Sequence, residues 1–136
     1  MIKAFEKKEQ AVALFIQALT NAGFQHSSGS QLDMPKYFRG IVTQVDYPVY
    51  LNFILTDTME LKSADNKTQI RGVYIDGSIY SQNGSGDEEY QMYANNLEQA
   101  CNELGITIQW EGENEITPVD TSNPIYYSNF GITIKL

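Results

Sequence analysis

Side chains that carry catalysis or bind metals are scarce in this chain: it has one histidine, His26, and one cysteine, Cys101. A zinc site takes three or four ligands from His, Cys and carboxylates, and neither residue has a second ligand at metal-binding spacing. His26 stands among serines and reads as a solvated surface position. Cys101 falls on an apolar stripe and reads as a core thiol, since free cysteine is among the most buried residue types. The stretch Asn83-Gly84-Ser85-Gly86 precedes a helical pattern, as a phosphate cradle does. It lacks the Gly-Lys-Ser/Thr ending and runs into Asp87, Glu88 and Glu89, which repel phosphate, so a turn and helix cap is the better account. Nor do its oxygen-bearing residues recur at the alternate positions of a calcium loop. Glu111, Glu113 and Glu115 alternate, so on a strand they share one face. Clustered carboxylates raise one another's pKa and can support acid–base chemistry. No second polar constellation accompanies them, and they read as a solvated strand end or loop. The expectation is a protein that is not an enzyme and needs no cofactor or metal.

Composition narrows the partners. A formal net charge of −8 argues against direct binding to nucleic acid phosphates. No apolar run is long enough to cross a membrane, and the first residues lead into an amphipathic pattern, not a secretory one. A single cysteine allows no internal disulfide, which fits a reducing compartment.

The elements follow from periodicity. Phe5, Val12, Phe15, Leu19 and Ala22 step by three and four, predicting a helix over residues 3–22 that Gly23 stops. Residues 23–40 are rich in Ser, Gln and Gly and read as an irregular connection. A short strand is expected over residues 41–46, and Pro48 marks an edge or kink. Ser85 and Glu88 stand in the capping-box relation at the start of a second helix, whose stripe is Tyr90, Tyr93, Ala94, Leu97, Cys101 and Leu104. Ile106, Ile108 and Trp110 alternate as a strand, a turn-rich acidic segment follows, and Phe130, Ile132, Ile134 and Leu136 form a last strand. The order α-β-β-β-α-β-β indicates one α+β domain spanning residues 1–136, a mainly antiparallel sheet with a long β-hairpin and both helices on one face. Its expected core is Phe5, Val12, Phe15, Leu19, Leu97, Leu104, Leu51, Phe53, Val73, Ile75, Ile132 and Ile134.

The hairpin is the most telling element. Val49, Leu51, Phe53 and Leu55 alternate, and the same phase runs on through Met59 and Leu61. The turn Ser63-Ala64-Asp65-Asn66-Lys67 interrupts it, and alternation resumes at Val73, Ile75 and Ile79. Residues 57–70 form a projecting tip beyond the reach of a two-helix cover, and a two-stranded ribbon alone is marginally stable in water. Apolar residues there point to a partner surface, most simply another copy of the chain. Tyrosine suits half-wet interfaces, because it buries a ring and keeps a hydrogen-bonding tip. The expected oligomer interface is therefore Met59, Leu61, Asp65, Asn66, Lys67, Tyr50 and Tyr74.

The stretch from Thr56-Asp57 through Ala64-Asp65-Asn66-Lys67, then Arg71-Gly72-Val73-Tyr74-Ile75-Asp76-Gly77-Ser78-Ile79-Tyr80-Ser81, resembles small tail-completion proteins of long-tailed bacteriophages. These include the tail terminators, filed also as minor tail or head–tail joining proteins. The resemblance continues through the acidic helix from Glu88, the strand opening Gly105-Ile106 and the alternating last strand, about two-thirds of the chain. Gly77 departs from it, standing where the family strand carries an ordinary residue. The resemblance implies a non-enzymatic ring, typically a hexamer, on the last ring of the tail tube. Its partners would be itself, the tail tube protein and the head-connector protein. It would be assembled in the bacterial host cytoplasm and reside in the virion tail or neck. The competing expectation is a small acidic inhibitor or immunity-type protein whose carboxylates mask a basic partner surface.

Overall fold

The computed structural model describes residues 3–30, 34–40, 48–62, 64, 68–82, 87–116 and 125–136. The elements run α1 (Lys3–Ala22), β1 (Gln25–His26), β2 (Lys36–Arg39), β3 (Val49–Lys62), β4 (Thr68–Ser81), α2 (Glu88–Glu103), β5 (Thr107–Ile116) and β6 (Ile125–Lys135). They build an α+β domain around one mixed six-stranded sheet of order β1-β2-β3-β4-β6-β5. β1–β2 and β2–β3 are parallel and the other pairs antiparallel. After α2 the chain reaches the far edge as β5 and returns as β6 between β5 and β4.

α1 buries Ala11, Val12, Phe15, Ala18, Leu19 and Ala22, a stripe in which small residues let the helix approach the sheet. Gly23, at φ 105°, ends it in the left-handed region that a side chain would disfavour. α2 buries Tyr90, Leu97, Ala100 and Cys101, with Tyr93, Ala94 and Leu104 partly covered. Its cap is Asp87, not Ser85: the carboxylate accepts a 3.0 Å bond from the Glu89 N–H, and Ser81 Oγ donates to its other oxygen. Both stripes close over Leu51, Phe53, Val73, Ile75, Ile79, Phe130, Ile132 and Ile134. The expected core is thus observed, with Leu104 only half-buried and the Phe5 side chain outside the described residues. Leu97 is fully enclosed, so Leu97→Ala should cost about 2–5 kcal/mol through lost burial and the cavity left behind. A urea midpoint unchanged from wild type would mean that α2 does not pack as described.

Two expectations need correction, one on residues 23–40 and one on the stretch after Trp110. Residues 23–40 are not wholly irregular, because they contribute β1 and β2 to the sheet. Lys36, 4 % exposed, has its ammonium held by the carbonyls of Ser27 (3.3 Å) and Gly29 (2.6 Å). The strand expected at 41–46 lies outside the described residues. The acidic stretch after Trp110 continues β5, and a register shift between Trp110 and Gly112 breaks its alternation. Glu111 therefore lies over Gly131, whereas Glu113 and Glu115 are registered opposite Ser128 and Tyr126. The backbone alternation over residues 111–115 is thereby interrupted.

Candidate oligomer interface and the uncovered sheet face

The long hairpin is real, but its phase is not continuous. β3 and β4 pair from Val49↔Ser81 to Lys62↔Thr68 with two register shifts, between Leu55 and Asp57 and between Met59 and Glu60. The first makes Thr56 an extra residue, which reverses the side-chain phase beyond it. Thr58 now sits opposite core residue Val73, and Met59 sits opposite Gly72 on the face away from the helices. The expectation that Met59 continues the inward phase of Leu51 and Phe53 is overturned by this bulge. The Met59 methyl instead packs where a Cβ of Gly72 would stand, leaving Met59 half-buried.

The other interface candidates divide. Tyr74 lies diagonal to Met59 on the same face and is 38 % exposed, available to a partner. Tyr50 is 1 % exposed, so it serves its own fold and is withdrawn as a contact residue. The Leu61 backbone lies in β3, opposite Gln69, but its side chain and all of Asp65, Asn66 and Lys67 fall outside the described residues. The projection itself persists. β6 pairs with β4 only as far as Gly72↔Lys135, and β2 pairs with β3 only as far as Arg39↔Phe53. Beyond both points, over residues 60–62 and 68–70, the described residues of the hairpin form a two-stranded arm, and no described residue pairs with the outer side of β3 over residues 54–62.

The sheet face opposite the helices is built in rows. Tyr50, Tyr80 and Tyr127 form one, with ring centroids 4.6 Å apart for the stacked first pair and 5.6 Å for the second. Asn52, Ser78 and Asn129 form the next, where Ser78 Oγ donates a 2.6 Å bond to Asn129 Oδ1. Ile54, Asp76 and Gly131 form the third. Both carboxylates of this region converge on Gly131: Asp76 Oδ1 is 3.8 Å from the place of a Cβ there, and Glu111 Oε1 is nearer still. These rows enclose a hollow of about 320 Å³ lined by Asn52, Asp76, Ser78, Glu111 and Asn129, with Tyr80 at its border. Sequence reasoning missed it. The available signal was polar residues at alternate positions of apolar strands: Asn52 between Leu51 and Phe53, and Asp76 and Ser78 within Ile75 to Ile79.

Elsewhere the chemistry is quiet. His26 is exposed, with Nδ1 2.7 Å from Ser28 Oγ. Burial, with a smaller contribution from Glu98, pushes the Cys101 thiol from 9.0 to about 12, which keeps it protonated and unreactive at neutral pH. Among the described residues no group of three His, Cys, Asp or Glu side chains could hold a metal ion. A second hollow of about 690 Å³ between α2 and strands β5 and β6 is lined by Tyr90, Trp110, Tyr126 and small polar groups, and the Tyr90 hydroxyl is bonded to Ser128. Among the described residues no helix is long and apolar enough to cross a membrane.

Burial, then the neighbouring Tyr80, likewise raises Tyr50 from 10.0 to about 12. Both acids are harder to deprotonate when folded, so their contribution is complete below the unfolded values and declines as the unfolded chain sheds protons the native state keeps. The urea midpoint should therefore fall as pH rises from about 9 through 12, and Tyr50→Phe should flatten the portion above 10. Equal slopes for the two proteins would contradict the burial of Tyr50.

No protein-family model and no curated protein matches this chain.

Proposed function

We propose that this chain is a structural subunit of a long-tailed bacteriophage, a tail-completion protein that closes into a ring of identical copies, a hexamer. The ring caps the tail tube and joins it to the head connector. Its site would be the virion tail or neck, reached after assembly in the host cytoplasm. The observation that carries this reading is the two-stranded arm that outruns both neighbouring strands. Such a ribbon is marginal alone, and an unpaired outer strand is a template for another chain. On the face away from the helices Tyr74 and Asp76 are exposed, and Ser78, Tyr80, Tyr127 and Asn129 partly so, over β4 and β6. An arm on one side and a receiving face on another make a head-to-tail contact, which closes into a ring when the rotation permits. The order of strand, acidic helix and alternating last strand supports the tail family in particular. Added to polymerising tail-tube protein, the chain should stop growth and yield tubes of limited length. Tubes that elongate unchanged would contradict the capping role.

A second reading draws on Asp76 and Glu111, which meet no cation among the described residues. A small acidic inhibitor would use such a pair against a basic partner surface. It requires a monomer or dimer, whereas the capping role requires the ring.

A further inference from the structure

The hollow on the uncovered face is chemically unfinished. Asn52 is 8 % exposed, yet its side-chain amide makes no hydrogen bond among the described residues. Among the described residues no fully enclosed side-chain nitrogen or oxygen lacks a partner, so the Asn52 amide reaches solvent where it lines the hollow. A buried amide without a partner is costly unless water or a ligand completes it. Beside it stand the Asp76 and Glu111 carboxylates, and the one ion pair among the described residues, Arg39 with Glu9, lies elsewhere. Two acceptors with negative charge and an unspent amide oxygen match a planar guanidinium, which donates in a fixed fork.

The chain carries only two arginines. Arg39 is spent in a two-pronged bond to Glu9 at 3.0 and 2.9 Å. Arg71 is exposed, makes no side-chain hydrogen bond or ion pair among the described residues, and sits at the second register shift, at the root of the arm. Bulges re-aim side chains. Arg71 cannot fill its own hollow: it lies five positions from Asp76 along β4, about 17 Å in an extended strand and beyond the reach of its side chain.

We propose that Arg71 of one copy enters the Asn52–Asp76–Glu111 hollow of the next, fixing the register of the ring. The proposal rests on the ring reading above and adds its polar contact. Donor and receptor are different patches of one surface, so the contact is head-to-tail and repeats by rotation.

Charge reversal tests it. Arg71→Asp and Asp76→Arg, each alone, should be folded by circular dichroism but monomeric at concentrations where the wild-type chain is a ring. The expected loss is at least about a hundredfold in the concentration needed for assembly, as for truncated interfacial charge pairs. An equimolar mixture of the two variants should form rings again, because native and reversed pairs then alternate. The cis double variant should also assemble. Glu103→Lys, exposed on α2 on the other side of the sheet, should assemble like wild type. Rings from either single variant, or failure of both the mixture and the double variant to recover, would overturn the proposal while leaving a wild-type ring intact. A monomeric wild-type chain would instead remove the ring reading itself.

Discussion

Gly77→Val should destabilise the domain by roughly 3 kcal/mol or more, the upper end of what overpacking a closed core costs. Gly77 pairs with Phe53 on one side and Phe130 on the other, in the middle of the sheet. A Cβ there would collide with the Phe130 ring and approach the Asn52 carbonyl oxygen to 2.6 Å. Neither neighbour can yield cheaply. Phe130 is fully buried, wedged against Phe15 and Trp110 at centroid distances of 6.1 and 5.8 Å, and the carbonyl belongs to the sheet backbone. The cost is steric: Phe130 occupies the space a side chain at 77 would need. Phe130→Ala alone should cost about 3–5 kcal/mol. Combined with Gly77→Val it should cost less than the sum, because removing the ring relieves part of the clash. Urea denaturation of the four proteins measures this, and strict additivity would contradict the packing described.

Replacing Met59 and Leu61 together by serine should leave the monomer folded and abolish the ring. Met59 is half-buried against Gly72 outside the main core, so its own fold loses little. Each apolar side chain covered by a neighbour contributes roughly 1.5–3 kcal/mol, and a closed ring repeats that contribution at every interface. In a phage the variant should give tails of uncontrolled length or heads without tails. Particles of wild-type size in sedimentation, from a variant with wild-type circular dichroism, would show that assembly uses another surface.

Much of this architecture is legible in the chain because long periodic segments determine their own partners. Both helices, the hairpin and the last strand follow from spacing alone, as do Phe15, Leu19, Leu97, Ile75 and Ile132 in the core. What escaped is what no period encodes. β1 and β2 are too short to display alternation, and they exist because β3 offers them an edge. The extra residue at Thr56 is neither Gly nor Pro, so nothing marks the bulge, and the phase carried past it to Met59 came out on the wrong face. Tyr50 looked like an interface tyrosine because its burial depends on Tyr80 and the β2 side of the sheet, contacts distant in sequence. The hollow at Asn52 was invisible for the same reason. Its lining comes from β3, β4, β5 and β6 and converges only through strand register.

The measurement that bears most directly on this account is the mass of the wild-type chain in solution, by light scattering coupled to size exclusion across a wide concentration range. The account predicts one closed species, a hexamer of the 15.4 kDa chain, that persists on dilution and weakens as salt screens the Arg71 contact. A stable 15.4 kDa monomer at the highest concentration would contradict it.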